Sequence, residues 1–284
     1  MNRHTFAWCA LFAAALSIAP AHGQPAANVV LFEGARLIPG DGSAAIDEAA
    51  FLVERGVITR VGRKGEIGVA PGVKRFDLSG KTVMPALVNA HGHPGFQKDL
   101  TYSAANYTRE NIIDDLNRAL YFGVATVMSQ GIEKGEVAFQ IRADQEAGRL
   151  GGARLLLAGR GIGAPNAGPG APAYAGIAYE VTTEAGIRRA VQEQAAKKVN
   201  AIKIWVDDRG GRAPRLGTAL FRAGIDEGHK LGLPVTAHVY YHADAVELVN
   251  AGINSIAHLV RDKEMDDALV AAIVKRNVYV MPNL

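Results

Sequence analysis

The sequence contains almost no cysteine. Its one cysteine among 284 residues is Cys9, which lies in the first apolar segment of the chain. A single thiol cannot form a disulfide within the chain, so a disulfide framework is excluded. Metal ligands must therefore come from histidine, from carboxylate or from a less usual side chain.

The chain also lacks an excess of charge of one sign. Its 31 Lys and Arg residues nearly balance its 28 Asp and Glu residues, and the formal net charge is +3. Because this charge is small and the basic residues are dispersed, we expect no nucleic-acid partner. Hydrophobic residues make up 49% of the chain and charged residues 21%, which is typical of a soluble globular protein with a large core. The composition is compatible with a monomer and with a homo-oligomer.

Long apolar runs are absent except at the N-terminus. Phe6–Ala19 is apolar and follows a short basic start, and Ala21-His22-Gly23 places small residues where a signal peptidase cleaves. The run is shorter than the roughly 20 residues that a membrane-spanning helix needs. We therefore expect residues 1–23 to be a cleaved export signal, with a membrane anchor as the alternative. The mature protein would be periplasmic or secreted, with no membrane partner.

Two different patterns follow this segment. Residues 24–82 contain short alternating segments separated by Gly and Asp turns, which predicts a small antiparallel β-sandwich module without a catalytic cluster. Residues 83–284 alternate strand and helix seven times. This alternation predicts an α/β fold with a parallel sheet, and it favours a (β/α)8 TIM barrel over an open sheet. After a first strand within Val83–Gly95, the predicted strands are Val124–Met128, Arg154–Ala158, Ala201–Val206, Leu233–His238, Asn254–His258 and Val278–Pro282.

A barrel of this kind needs eight strands, and the chain supplies seven. We therefore expect a fragment or a truncated gene product. Such a chain would leave one barrel edge unpaired and apolar surface exposed, which predicts poor solubility.

The segment Val83–Gly95 contains the first candidate ligands. An apolar run there ends in His91 and His93. Side chains alternate along a strand, so both imidazoles point the same way and can bind one metal ion. Pro94 and Gly95 end the strand just beyond them, at its carboxyl end, where barrel enzymes have their active sites.

Two further histidines, His238 and His258, also end predicted strands. A single histidine in such a position is usually a core residue with satisfied hydrogen bonds. Four histidines that converge on one face of a barrel predict a metal site instead.

Lys203 lies inside the fourth predicted strand. It shares a strand face with Ala201 and Trp205, while the other face is apolar and mostly β-branched. The β-branched face of a barrel strand packs against helices, so Lys203 would point inward, where burial lowers the pKa of its amine. A neutral amine can add carbon dioxide and become a carbamate that bridges two metal ions. The alternative is a lysine paired with Asp207 or Asp208.

These residues resemble the motifs of the amidohydrolase superfamily, in particular its imidazolonepropionase-like and prolidase-like branch. The similarity runs from about residue 28 to the end and rests on VMPALVNAHGHP, IKIW, VTAHVY and SIAHL in this order. The resemblance implies a binuclear site, commonly of zinc, with His91 and His93 at the more buried ion and His238 and His258 at the more exposed one. Carbamylated Lys203 would bridge them, and a hydroxide between the ions would attack a carbonyl carbon. The catalytic residues implied are Lys203 and His238.

One family residue has no counterpart in this sequence. The family has an aspartate at the end of the eighth strand, which ligates a metal and acts as general base and acid. Asp207, Asp208 and Asp262 follow other strands and cannot be assigned that role. For Asp207, Asp208, Arg209 and Arg212 we favour a solvated salt-bridge cluster, with binding of an amine or a carboxylate as the alternative.

The resulting prediction is a metal-dependent hydrolase of C–N bonds that acts on a small-molecule amide, a cyclic amide, an N-acyl amino acid or a dipeptide. The alternatives are a mononuclear deaminase or imidazolone-type hydrolase, and an inactive metal-binding truncated homologue. Gly159–Gly176 is predicted to be a long loop over the barrel mouth. Its prolines exclude the helix that a dinucleotide fingerprint would open.

Overall fold

The computed structural model describes residues 29–170 and 172–282 of the chain. The predicted export signal, residues 1–23, lies outside these residues. The chain forms two compact units, of which the first ends at Pro85 and the second begins at Ala86. None of the helices within the described residues has the length and apolar character that a membrane crossing requires.

The first unit contains a single mixed sheet. Its strands are β1 (Val29–Leu37), β2 (Ile46–Glu54), β3 (Val57–Arg63), β4 (Lys74–Asp77) and β5 (Thr82–Val83). β1, β2 and β3 pair antiparallel in chain order, whereas β4 and β5 both pair parallel to β1. Because β1 takes β4 along its first half and β5 along its second, its backbone groups have partners on both sides.

The core of this unit is small. Leu31, Ala50, Leu52 and Ile67 are buried together on one side of the sheet, as expected for side chains that alternate along strands. The prediction of antiparallel pairing is wrong for β4 and β5, because residues 64–73 carry the chain across to the far side of β1. A second sheet packed as in a sandwich is not seen within residues 29–85.

The second unit alternates strands and helices. Its helices are α1 (Arg109–Tyr121), α2 (Val137–Glu146), α3 (Glu184–Ala196), α4 (Thr218–Lys230), α5 (His242–Asn250) and α6 (Asp267–Lys275). Its strands are β6 (Leu87–Gly92), β7 (Gln97–Lys98), β8 (Thr101–Tyr102), β9 (Val124–Ser129), β10 (Arg154–Leu157), β11 (Ile162–Gly163), β12 (Tyr179–Glu180), β13 (Ile202–Val206), β14 (Val235–Val239), β15 (Ser255–Ala257) and β16 (Tyr279–Met281). All seven predicted parallel strands are confirmed, as β6, β9, β10, β13, β14, β15 and β16.

Two helices of this unit begin directly after a threonine that caps them. The Thr108 side chain accepts a hydrogen bond from the Asn111 backbone N–H at 3.3 Å, and the Thr183 side chain accepts one from Gly186 at 3.0 Å. Each cap satisfies a backbone donor that the first helical turn leaves free, which stabilises a helix by about 1 kcal/mol. The loops before α1 and α3 therefore end at defined positions.

The parallel strands form two ladders, ordered β10-β9-β6 and β12-β11-β13-β14-β15-β16. Asn200 joins the ladders: its backbone N–H donates to Leu157 O at 2.7 Å, and its Oδ1 accepts from Leu157 N at 2.9 Å. No closed barrel is seen within residues 86–170 and 172–282. β6 and β16 are outer strands, with Val88 63% and Tyr279 76% exposed.

The predicted loop Gly159–Gly176 contains a short strand that the sequence did not indicate. β11 lies within it and pairs with Ile204 of β13. Buried backbone groups need hydrogen-bond partners, and β13 offers them to any extended segment that passes alongside. The largest core of the chain lies between β11, β13, β14 and the helices α3 to α5, so every residue of β13 and β14 is buried.

Candidate metal centre

Two histidines lie at the carboxyl end of β6. His91 is within the strand and His93 follows it, with ring centroids 5.0 Å apart and ring planes at 83°. Asn89 Oδ1 accepts a hydrogen bond from the His91 backbone N–H at 3.0 Å and holds the irregular end of the strand. A Cβ atom on Gly92 would lie 2.8 Å from Val127 Cγ1, so only glycine allows β6 to approach β9 here.

The other two predicted histidines join the same cluster. The His258 ring lies 4.8 Å from the His91 ring and 4.9 Å from the His238 ring, measured between centroids. His238 is the fourth residue of β14, while His258 directly follows β15 with a φ of 75°. This backbone conformation is uncommon outside glycine and costs free energy, and such residues concentrate at functional sites. The structure therefore brings all four histidines together.

Lys203 lies beside this cluster and is 1% exposed. Its Nζ has no hydrogen-bond partner among the residues that the structure describes. The predicted inward orientation is confirmed, and the alternative pairing with Asp207 or Asp208 is not seen. Gly131 leaves room for the side chain, since a Cβ atom there would lie 2.6 Å from Lys203 Cγ.

The cluster is electrically unusual because it gathers basic groups away from water. Burial lowers the pKa of Lys203 to about 7. Burial first, and then the charge on Lys203, lowers the pKa of His91 to about 2 and of His93 to about 4. Burial likewise lowers the pKa of His258 to about 3 and shifts that of His238 downwards. All four imidazoles are therefore neutral near pH 7, the form in which a ring nitrogen can bind a metal ion.

The nitrogen atoms of the cluster are of the kind that binds divalent metal ions. Nδ1 of His91, Nδ1 of His93 and Nζ of Lys203 are all buried without a hydrogen-bond partner among the described residues, and neutral imidazole is a common zinc ligand. In residues 29–170 and 172–282, no three His, Cys, Asp or Glu side chains are placed as a group that could hold an ion. The site therefore fits a metal ion through the chemistry of its nitrogen atoms and their lack of hydrogen-bond partners, and not through a ligand geometry already in place.

Asp207 is a member of the site that the sequence interpretation missed. Its Oδ2 lies 2.8 Å from His238 Nε2, and its Oδ1 accepts from the Arg209 backbone N–H at 2.8 Å. The hydrogen bond from His238 is the main reason why the pKa of Asp207 falls to about 2, so the carboxylate is ionised and His238 Nε2 carries the donated proton. The prediction of a solvated cluster is wrong for Asp207, which is buried. Strand alternation was a usable signal, because Asp207 continues the face of Lys203 and Trp205.

The segment after β11 also reaches the cluster. The Tyr174 ring is buried, with its centroid 5.6 Å from that of His93 and 4.7 Å from that of Phe96. The sequence placed this segment over the strand ends but did not single out Tyr174. Its aromatic surface packs against the His93 ring.

Comparison with solved structures identifies the fold. A crystal structure of a Xaa-Pro dipeptidase with bound methionine superposes with a TM-score of 0.75 and 21% identity, covering 90% of this chain and 66% of that one. An amidohydrolase superposes with a TM-score of 0.74 and 22% identity, covering 90% and 66%. Phenylurea hydrolase B gives a TM-score of 0.74 and 20% identity, covering 89% and 64%. The chain therefore shares its α/β fold with these structures.

Comparison with other sequences finds similar proteins in mycobacteria. Uncharacterized proteins of Mycobacterium tuberculosis and Mycobacterium bovis are 27% identical over 211 residues, which are 73% of this chain and 52% of each relative. The chain thus spans about half the length of these relatives. No protein-family model matches the sequence.

Proposed function

We propose that this protein is a metal-dependent hydrolase of C–N bonds in small amides, cyclic amides, N-acyl amino acids or dipeptides. The observation that carries the proposal is the cluster of four neutral imidazoles beside a buried, unpartnered lysine amine. The compared structures support it, since they include a dipeptidase, an amidohydrolase and a phenylurea hydrolase.

In this proposal His91, His93, His238, His258 and Lys203 hold zinc, with two ions bound when Lys203 carries a carbamate. A bound divalent ion supplies a nucleophile by lowering the pKa of water, and it polarises the carbonyl group of the substrate. Two contributions come from the protein's own side chains and do not depend on a bound ion. The imidazoles present neutral ring nitrogens, and the buried Tyr174 ring packs against His93.

The protonation of Asp207 and that of Lys203 each matter to the proposed chemistry. The ionised Asp207 carboxylate accepts the Nε2 proton of His238 at 2.8 Å and leaves Nδ1 as the free nitrogen of that ring. The Lys203 amine, with a pKa lowered to about 7, is partly neutral near pH 7. Its nitrogen can then attack the carbon of carbon dioxide and release one proton, which yields the carbamate.

The proposal extends to architecture and location. We propose that the strands of residues 83–284 belong to a TIM barrel, which is supported by the apolar side chains exposed along β6 and β16. Residues 24–82 would form the accompanying β module, which the mixed sheet of residues 29–83 supports. Residues 1–23 would direct export to the periplasm or the medium, supported by their basic start and apolar run.

Zinc loading and hydrolysis test the proposal directly. The zinc-loaded protein is assayed on a panel of N-acyl amino acids, dipeptides, cyclic amides and arylamides, before and after chelation. Activity should disappear on chelation and return with zinc. About two ions per chain supports the binuclear site, and one supports the mononuclear alternative. Zinc binding without turnover of any substrate would indicate the inactive homologue.

Lys203→Ala tests the carbamate. This variant should lose activity that short carboxylic acids partly restore, because a carboxylate can occupy the place of the carbamate. Lys197→Ala is the matched control, since Lys197 is exposed and paired with Glu136. A Lys203 variant that is active without rescue would exclude the carbamate.

A further inference from the structure

A cavity of about 460 Å³ lies between the loop of residues 166–180 and the segment that follows β13. Arg209 and Arg212 line one side of it. Among the lining residues that the structure describes, Glu180 has the only carboxylate, and its Oε1 accepts a hydrogen bond from a backbone N–H at 2.9 Å. The charge of the described lining is therefore net positive.

The Arg209 guanidinium is partly buried and poorly satisfied. Its side chain is 20% exposed, and its Nε is buried with no hydrogen-bond partner among residues 29–170 and 172–282. Nη2 reaches Ala167 O only at 3.4 Å, and Nη1 lies 3.9 Å from Asp207 Oδ2. Both contacts are longer than ordinary hydrogen bonds of 2.7–3.2 Å. A guanidinium carries five N–H donors, and because Nε is buried, those on Nη1 and Nη2 are the ones that a ligand could reach.

The surrounding chain leaves room beside this group. A Cβ atom on Gly170 would lie 2.7 Å from Arg209 Nη1, so a larger residue there would crowd the guanidinium. Arg212 differs: it is exposed, and its Nε donates to the Arg209 carbonyl oxygen at 2.8 Å. Arg209 is thus the partly buried cation of the cavity, and Arg212 is the solvent-exposed one.

Two side chains link the cavity to the imidazole cluster. Asp207 Oδ2 lies 2.8 Å from His238 Nε2 and 3.9 Å from Arg209 Nη1. Tyr174 lines the cavity, and its ring also lies 5.6 Å from the ring of His93. Arg209 is therefore one side chain away from His238, and the cavity is one side chain away from His93.

We propose that Arg209 binds the free carboxylate of the substrate, so that the protein acts on N-acyl amino acids or dipeptides rather than on uncharged amides. This inference rests on the proposed hydrolysis and narrows its substrate class. The planar guanidinium matches a carboxylate with two parallel hydrogen bonds, which an amide cannot accept in the same way. The carboxylate would satisfy the donors of Arg209 that the described residues leave unpaired.

The test uses pairs of substrates that differ only in this group. The zinc-loaded protein is assayed on N-acyl amino acids and dipeptides, each as the free acid and as its C-terminal amide. The wild type should prefer the free acids by about 100-fold in kcat/KM, and Arg209→Gln should lose about 100-fold on the acids while changing little on the amides. The loss should appear mainly as a higher KM, because the contact is made in the bound ground state.

Two further variants sharpen the result. Arg209→Lys keeps the charge without the planar fork and should lose about tenfold on the acids. Arg222→Gln removes an exposed arginine of α4 that lies outside the cavity lining and pairs with Glu247 Oε2 at 2.9 Å, and it should stay within about threefold of the wild type. Equal losses in both Gln variants would contradict the role of Arg209.

The outcomes separate this inference from the proposed function. Hydrolysis of acids and amides at equal rates, or an Arg209→Gln variant that keeps the preference, overturns the inference alone. No hydrolysis of any substrate overturns the proposed function. In that case, calorimetric binding of the same acids and amides still decides the role of Arg209. Binding without preference for the acids, no binding of either, or a preference retained in Arg209→Gln overturns it.

Discussion

The two units of this chain differ in whether they bury charged types of side chain. In residues 29–85 no Lys, Arg, Asp or Glu is fully buried, and Glu33 Oε2 pairs with the half-exposed Arg75 at 2.8 Å. The second unit has such exposed pairs too, but it also buries Lys203 and Glu133, which are each 1% exposed and whose titratable atoms have no hydrogen-bond partner among the described residues. Water can satisfy the first arrangement at little cost, whereas the second opposes folding.

Buried titratable side chains without partners are candidates for a functional role, whereas exposed ion pairs are not. A buried polar group without a partner destabilises the protein by about 1–3 kcal/mol. Such groups persist where a ligand, an ion or a reaction uses them. The surface pairs of the first unit require no such explanation.

The largest expected effect follows from removing a ligand of the cluster. His91→Ala should abolish zinc binding and turnover, because His91 lies between His93 and His258 in the chain of contacting rings. His229→Ala is the control, since His229 is exposed and bonded to Asn254 at 2.8 Å. Elemental analysis and activity assays check both. Full metal content in the His91 variant would remove the ligand assignment.

A smaller effect is expected from Asp207, which acts as a positioning residue through His238. Asp207→Asn should weaken zinc affinity about 10- to 100-fold, because an amide holds the His238 ring less firmly than a carboxylate does. Asp208→Asn is the matched control, since Asp208 accepts from the Tyr241 hydroxyl at 2.9 Å and lies outside the cluster. Competition with a zinc chelator measures both affinities. Equal affinities in the two variants would show that Asp207 has no positioning role.

Glu133 provides a comparison that depends on pH. Burial raises its pKa from an ordinary value of 4.5 to about 8, so the folded protein retains a proton that the unfolded chain loses. The contribution of this proton to the free energy of unfolding is fully present below about pH 4.5. It decreases as the pH rises and is gone above about pH 8. Between these values the slope approaches 1.4 kcal/mol per pH unit.

Glu133→Gln cannot lose this proton, so its free energy of unfolding should decrease less with rising pH than that of the wild type. The stability of the variant relative to the wild type should therefore increase with pH. Urea unfolding at several values from about pH 5 to about pH 8 measures it. Glu136→Gln serves as the control, because Glu136 is exposed and paired with Lys197. Parallel pH profiles for wild type and Glu133→Gln would mean that this carboxyl group is hydrated in solution.

The smallest effect is expected in the first unit. A double-mutant cycle on Glu33→Gln and Arg75→Gln should give a coupling below about 1 kcal/mol, since the Arg75 side chain is half exposed and solvent screens the pair. Chemical unfolding of the four proteins provides the value. A coupling of several kcal/mol would remove the contrast between the two units.

Local sequence patterns predicted most of the second unit. Alternation and apolar runs placed seven parallel strands, because these features depend on near neighbours in the chain. The histidines were found because all four end a strand, and parallel strands bring their carboxyl ends to one edge.

Other features depended on contacts between distant segments. The parallel pairing of β4 with β1 and the insertion of β11 beside β13 follow from where a connection crosses, which its composition does not encode. The burial of Glu133 was equally hidden, because a carboxylate in a loop is usually exposed. Asp207 was assigned to solvent for the same reason, although strand alternation pointed inward.

Spacing along single segments was enough to predict the α/β alternation, the four histidines at strand ends and the strand face that Lys203 shares with Trp205. Contacts between distant segments were needed to show that His238 hydrogen-bonds Asp207, that Tyr174 packs against His93 and that Arg209 lines a cavity. Burial and hydrogen bonding depend on every segment that packs around a residue, so its pKa and its unpaired donors are fixed only when those segments come together.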